Sequence, residues 1–203
     1  MCGRFVLISD LPIIGEAFHI DEFAGSFRSA GDRYPGQDVA AVILSDRRRL
    51  VSFQWGLIPA WARSGPSQGR KLIHARGETL AIKPSFRDAF RKRRCLVVAN
   101  GFYEWDRSLA RKRLVRFSMK GGQPFGMAGL YETWQPPVGP PVHSCTIVTT
   151  AANALVGKIH DRMPVIVAQD QQDLWLGAAD AGPESLAGIL MPYPVAEMAA
   201  MVL

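Results

Sequence analysis

The second residue of the chain is a cysteine, so removal of Met1 would leave Cys2 at the N-terminus. An N-terminal cysteine carries an amine and a thiol on adjacent carbons. Their ordinary pKa values, about 7.7–8.0 and about 8.5, make both partly nucleophilic near neutral pH. With an aldehyde, the pair can form a Schiff base and close it to a thiazolidine; with an amide, the thiolate can attack while the amine acts as base. A chance cysteine near the chain start is the alternative interpretation.

A glutamate stands between aromatic residues in the segment Gly101–Trp105, which is predicted to be a strand. Partial desolvation by those neighbours would raise the pKa of Glu104 toward the range useful for acid–base catalysis. The alternative is a solvent-facing glutamate on an edge strand. Glu104 is therefore a candidate proton-transfer group.

His160, Asp161 and Arg162 follow one another between a predicted helix and a predicted strand. A histidine that titrates near neutral pH, next to a guanidinium, suits a proton shuttle beside an anion-binding group. The same residues could instead end a helix, with the histidine on its terminal carbonyls and the charges in solvent. Spacing alone does not separate these interpretations.

The elements that must position these residues form an α+β pattern. A polar turn joins Val39–Leu44 to Leu50–Trp55, which predicts a hairpin. Further strands are predicted at Cys95–Ala99, Phe102–Trp105, Leu114–Met119, Cys145–Thr149 and Met163–Ala168. Helices are predicted from Asp10 through Phe18, from Ser85 to Arg93, and at Ala151–Ile159 and Gln171–Leu176, with a turn at Arg33–Asp38 and a loop at Ala60–Lys71. We expect a mainly antiparallel, barrel-like sheet with peripheral helices.

Bulk properties favour one soluble domain spanning residues 1–203. The net charge of +6 makes a polyanionic partner plausible. Three widely spaced cysteines without a Cys-x-x-Cys pair argue against disulfides or structural zinc and suit a reducing cytoplasm. No apolar run approaches the roughly 18 residues that span a bilayer, so no membrane association is expected.

Taken together, the motifs resemble the SOS response-associated peptidase family, or SRAP domain. The segments that carry the resemblance occur in the family's order and span most of the chain from Met1 to about Leu176, whereas the C-terminal end follows the family only loosely. They are Met1–Phe5, Trp55–Pro59, Ala75–Thr79, Cys95–Val97, Gly101–Trp105, Thr146–Thr150 and His160–Pro164.

The resemblance implies a sensor of abasic sites in single-stranded DNA that crosslinks to the sugar aldehyde through Cys2 as a thiazolidine. In the family, the glutamate matched by Glu104 moves protons during ring opening and Schiff-base formation. The histidine matched by His160 assists ring opening and crosslink reversal. Autoproteolytic or peptidase activity is also implied. We expect a cytoplasmic, nucleoid-associated monomer without metal or cofactor, whose DNA phosphates contact Arg4, Arg76, Arg162 and, more weakly, Thr149.

Three departures from the family pattern stand out. His74 replaces an asparagine expected to polarise the sugar oxygen beside the cysteine, so we assign His74 a catalytic position with changed geometry and pH dependence. The segment Arg33–Gln37 is shortened, and the end of the chain diverges. Two alternatives remain open: a noncatalytic single-strand binding module, and an N-terminal-nucleophile amidohydrolase, because Met-Cys-Gly also opens glutamine amidotransferases of that class.

Overall fold

The centre of the fold is a ring of five hydrogen-bonded strands, seen in a computed structural model that describes residues 3–27, 30–63, 72–106, 112–177 and 183–203. The strands are β1 (Phe5–Leu7), β2 (Glu22–Ala24), β3 (Gly31–Arg33), β4 (Asp38–Leu44), β5 (Arg48–Trp55), β6 (His74–Arg76), β7 (Arg94–Ala99), β8 (Gly101–Asp106), β9 (Arg113–Met119), β10 (Phe125–Trp134), β11 (Val142–Ala151), β12 (Arg162–Pro164), β13 (Ile166–Val167) and β14 (Met198–Val202). The helices are α1 (Leu11–Phe18), α2 (Arg87–Lys92), α3 (Gln172–Leu176) and α4 (Pro183–Ala187). Short 3₁₀ segments cover Gly77–Thr79, Val156–Lys158, Gln169–Gln171 and Val195–Glu197.

The ring runs β11–β10–β7–β4–β5 and closes where β5 pairs with β11. The closing pair is parallel, with Cys145 opposite Trp55, whereas the other four pairs are antiparallel. A second, antiparallel sheet has the order β14-β9-β8-β1-β3. The predicted α+β class with a mainly antiparallel, barrel-like core is confirmed.

Alternate residues of the ring strands face two different apolar clusters, as the two-residue period of a strand requires. On β7, Leu96 and Val98 pack with residues of α1, α2 and α3. Cys95, Val97 and Ala99 belong to the cluster that the second sheet joins. In that cluster Phe102 of β8 stacks on Phe117 of β9, with ring centroids 5.2 Å apart. The second sheet is therefore anchored to the ring by a shared core.

Strand β10 is missing from the predicted elements, although it lies between β11 and β7 in the ring. Two glycines, Gly126 and Gly129, interrupt its strand-like pattern, and glycine is ordinarily depleted in strands. A Cβ at Gly129 would stand 2.8 Å from Cys95 Sγ. The glycine thus reflects close packing between neighbouring strands, which local sequence does not reveal.

Helix α1 begins as predicted, with the Asp10 side chain accepting a hydrogen bond from the Ile13 amide at 3.1 Å. Ile14 and Phe18 of this helix are buried, whereas Ile13 is exposed. Helix α2 begins at Arg87, two residues later than predicted, with Phe86 in the N-cap position.

The predicted helix over Ala151–Ile159 is wrong. β11 extends to Ala151, and only Val156–Lys158 forms a 3₁₀ turn. The Asn153 side chain accepts hydrogen bonds from the amides of Leu155 and Val156, which starts that turn. The predicted strand Met163–Ala168 is divided into β12 and β13.

The hairpin of β4 and β5 and the turn after Arg33 are as predicted, with Gly36 at φ +86°. Residues 64–71 of the predicted loop lie outside the described residues. None of the described helices has the length and apolar character needed to cross a membrane.

Candidate active site

A cavity of about 510 Å³ brings together residues that are distant in the sequence, a volume in the usual range of ligand sites. Its lining residues are Gly3, Arg4, Tyr34, Tyr103, Glu104, Trp105, Leu114, Ile159 and His160. Three predicted site residues, Arg4, Glu104 and His160, therefore share one cavity. Cys2 lies outside the described residues, but Gly3, which follows it in the chain, lines the same cavity.

Glu104 lies on β8, which has β1 on one side and β9 on the other. The alternative of an edge-strand glutamate is thus wrong. The side chain is buried, with 7% of the residue exposed, whereas the next residue, Trp105, is 49% exposed. The structure therefore supplies a carboxyl group in a largely desolvated position.

His160 precedes β12, and its Nδ1 has two close neighbours. The Arg162 amide donates a hydrogen bond to Nδ1 at 3.0 Å, and Asp161 Oδ1 lies 2.8 Å from the same atom. The first contact requires a lone pair on Nδ1 and the second requires a proton there. Because Asp161 is 86% exposed, its ion pair is well solvated and weak, so the backbone contact is the stronger constraint on the orientation of the ring.

Arg4 is held between two tyrosine rings and a carboxylate. Its Nη2 donates to Asp32 Oδ2 at 2.5 Å, and its guanidinium carbon lies 4.4 Å from the Tyr103 ring centroid and 5.7 Å from that of Tyr34. The hydrogen bond to Asp32 raises the pKa of Arg4 above its ordinary value. Burial, with a smaller contribution from Asp32, raises the pKa of the Tyr103 phenol.

A second group of predicted residues lies on β6, β11 and β12. Arg162 is 14% exposed and donates to both carboxylate oxygens of Glu78 and, at 2.7 Å, to the Thr149 carbonyl. The hydrogen bond from Arg162 lowers the pKa of Glu78. Thr149 is buried, and its hydroxyl contacts Arg162 at 3.3 Å and the Ala75 carbonyl at 3.5 Å.

Neither His74 nor Arg76 lines the cavity. Both lie on β6, where His74 pairs in register with Ile147 and Arg76 with Thr149. The His74 ring stands edge-on to Trp55, with centroids 6.0 Å apart, and Trp55 in turn contacts Phe5. Arg76 is exposed. The Arg162 amide bond to His160 links this second group to the cavity.

Sequence reasoning missed several polar and aromatic residues of the site. Tyr34, Tyr103 and Trp105 line the cavity, and Asp32 and Glu78 hold the two buried or half-buried arginines. The strand period of β8 would have placed Tyr103 and Trp105 on one face. Nothing local could have identified Asp32 or Glu78 as ion-pair partners.

The other cysteines and the possible metal ligands among the described residues offer little further reactivity. Cys95 and Cys145 are free thiols buried in the core, and burial raises the pKa of both, which disfavours the reactive thiolate. Within the ranges that the structure describes, no group of three or more histidine, cysteine or acidic side chains is arranged to hold a metal.

Comparisons with known proteins agree with the sequence resemblance. The sequence model of a family described as SOS response associated peptidase (SRAP) matches residues 1–202. The abasic site processing protein YoqW of Bacillus subtilis is 41% identical over 204 residues, which cover 98% of this chain and 91% of YoqW. The abasic site processing protein HMCES of Gallus gallus is 30% identical over 73% of this chain and 51% of its own length. A crystal structure from Bacteroides thetaiotaomicron has a TM-score of 0.89 at 27% identity, covering all of this chain and 92% of that one.

Proposed function

The chain belongs to the SOS response associated peptidase (SRAP) family, and we propose that it processes abasic sites in DNA by crosslinking to them through Cys2. The observation that carries this proposal is the shared cavity of Gly3, Glu104 and His160. It puts a buried carboxyl group and an imidazole beside the residue that follows the nucleophile.

The first chemical step is opening of the abasic sugar, which exists mostly as a closed hemiacetal. A base must take the proton of the C1′ hydroxyl while an acid protonates O4′ as the C1′–O4′ bond breaks. Glu104 and His160 are two groups in the cavity able to exchange protons in this way. The product is a free aldehyde at C1′ and a hydroxyl at C4′.

The second step forms the crosslink without any oxidant or reductant. The α-amine of Cys2 adds to C1′ to give a carbinolamine. Protonation of the carbinolamine hydroxyl lets it leave as water, which gives a Schiff base. The thiolate then adds to C1′ and closes a thiazolidine. This sequence requires an unblocked amine, so Met1 must be removed first.

Arg4, which lines the cavity, and Arg76 and Arg162, which do not, are proposed to hold phosphates flanking the lesion, which would position the strand without reading its sequence. Arg76 is the exposed member of this set. Arg162 can contribute its remaining donors, while Thr149 acts on Arg162 rather than on DNA because its hydroxyl is buried. A single-stranded substrate is favoured because an unpaired nucleotide costs less free energy to turn into a cavity.

The test is incubation of the protein, with its N-terminus verified by intact mass, with a single-stranded oligonucleotide that carries one abasic site. We expect a heat-stable adduct on a denaturing gel, no adduct from Cys2→Ala, and slower formation by Glu104→Gln. Glu22→Gln, which removes a glutamate from a surface ion pair, serves as the charge-matched control. An adduct that persists in Cys2→Ala would refute the crosslink mechanism.

Two other outcomes would point to other functions. Salt-sensitive DNA binding with no adduct would identify a noncatalytic binding module. Release of ammonia from glutamine would identify an amidohydrolase. Autoproteolysis is tested with a protein that carries extra residues ahead of Cys2. Intact mass should show that these residues are removed when Cys2 is present and retained in the Cys2→Ala variant.

A further inference from the structure

We propose that Asp32 is a positioning residue that fixes the N-terminal segment carrying Cys2, through its ion pair with Arg4. The inference rests on the proposed crosslinking function and adds a residue to it. Neither the motifs of the sequence nor the cavity lining includes Asp32, so its role follows from geometry alone.

The pairing of β1 with β3 puts Asp32 next to the N-terminal segment. Asp32 lies opposite Val6 in the antiparallel register. Arg4 is two residues before Val6, so its side chain lies on the same face as that of Asp32. The 2.5 Å contact between Arg4 Nη2 and Asp32 Oδ2 is the direct result.

Arg4 is anchored at both its backbone and its side chain. The Tyr103 amide donates to the Arg4 carbonyl at 3.0 Å, and the guanidinium packs on the Tyr103 ring. Gly3 contributes no such anchor, because even a Cβ built there would meet nothing within 4 Å. Among the described residues, side-chain contacts therefore reach the N-terminal segment first at Arg4. Cys2 is two residues before Arg4 in the sequence, and two residues of extended chain span at most about 7 Å.

The negative charge of Asp32 favours a positioning role over a role in attracting DNA. The carboxylate offsets the charge of Arg4 and would repel an approaching phosphate rather than attract it. Asp32 therefore does not serve to attract DNA; its role is to orient the Arg4 guanidinium and the backbone attached to it. Because the two side chains are 32% and 28% exposed, the pair contributes little to overall stability, and its loss should leave the fold intact.

The experiment compares Asp32→Asn with Asp46→Asn, using the abasic single-stranded oligonucleotide. Asp46 pairs with Arg47 in the exposed turn between β4 and β5, so this control removes the same charge away from the cavity. We expect Asp32→Asn to lower the maximal crosslinking rate about tenfold, since small misplacements of reacting groups cost that much or more. The DNA concentration at half-maximal rate should stay within about twofold of the control, because attraction of phosphate is not lost. Equal maximal rates for the two variants, or a change confined to half-saturation, would overturn the inference.

A double-mutant cycle tests whether Asp32 acts through Arg4. Arg4→Lys keeps the charge but loses the planar fork that holds the carboxylate and packs on the rings. In that background, Asp32→Asn should cause little further loss of rate, whereas additive losses would contradict the proposed route. Asp32→Glu, which keeps the carboxylate, should retain more activity than Asp32→Asn; equal losses would also count against it.

Two controls separate this inference from the proposed function. Reaction of each protein with glyoxylate, a small aldehyde, reports whether the N-terminal aminothiol is free, and it should proceed equally in all variants. If wild type and Asp46→Asn form no DNA adduct, the proposed function fails. If they do and Asp32→Asn matches them, only the role of Asp32 fails.

Discussion

Arg162 donates hydrogen bonds to both carboxylate oxygens of Glu78, which lies 84 residues earlier in the chain. The same guanidinium contacts the Thr149 carbonyl, and the Arg162 amide binds Nδ1 of His160. Arg162, on β12, thus joins the 3₁₀ segment Gly77–Thr79 to β11, two residues after the cavity histidine. The orientation of Arg162 is set by these partners before any ligand arrives.

Glu78→Gln should reduce stability at pH 7 by at most about 1 kcal/mol, because the Glu78 side chain is 53% exposed and such pairs are screened by water. The folded-state pKa of Glu78 is lowered from its ordinary value of 4.5. The ionised carboxylate therefore stabilises the folded protein above that value, and the contribution is lost as the pH falls through the lowered pKa. Urea unfolding at pH 7 and pH 3 measures the difference, which should be smaller at the lower pH. A difference that is undiminished at pH 3 would mean that the ionised pair is not its source.

His74→Asn should alter the pH profile of crosslinking. Histidine titrates near neutral pH and asparagine does not, and the His74 ring packs on Trp55, which contacts Phe5 beside the N-terminal segment. We expect a flatter rate profile between about pH 5.5 and 8 in the variant. His143→Asn is the matched control, since His143 is an exposed residue hydrogen-bonded to Thr133. Superimposable profiles for His74→Asn and wild type would exclude a titrating role.

Arg76→Gln should weaken binding to single-stranded DNA of any sequence. If Arg76 contacts one phosphate, the slope of log affinity against log salt should fall by about 0.7. Arg47→Gln removes an exposed arginine from the distant β4–β5 turn and should leave the slope unchanged. Titrations over a range of salt concentrations provide the measurement, and equal slopes for the two variants would remove Arg76 from the interface.

Gly129→Ala should destabilise the protein by about 1–3 kcal/mol, the usual cost of overpacking a core. The new methyl group would stand 2.8 Å from Cys95 Sγ, which is buried in the core, and 3.2 Å from the Thr146 carbonyl oxygen, which cannot move without shifting a strand. Gly188→Ala is the control, because a Cβ there meets nothing within 4 Å. The comparison is made by urea unfolding, and equal midpoints for the two variants would show that the ring accommodates the methyl group.

Local sequence patterns were enough to predict much of the fold. The strand-like segments Leu50–Trp55 and Phe102–Trp105 predicted strands, and Asp10 predicted the start of α1. These features depend on neighbours a few residues apart. The glycines of β10 concealed a central strand, because the reason for them is a contact with β7 rather than a local preference.

The sequence by itself determined which residues can do chemistry: an N-terminal cysteine after loss of Met1, a glutamate among aromatics, and a histidine beside an arginine. The tertiary structure decided that β8 is an interior strand, which buries Glu104, and that Glu104, His160 and Gly3 face one cavity. It also decided that Asp32 and Glu78 hold Arg4 and Arg162 across 28 and 84 residues of chain. The physical reason is that side-chain direction follows the local strand period, whereas an ion pair depends on which strands become neighbours when the two sheets bury their shared core.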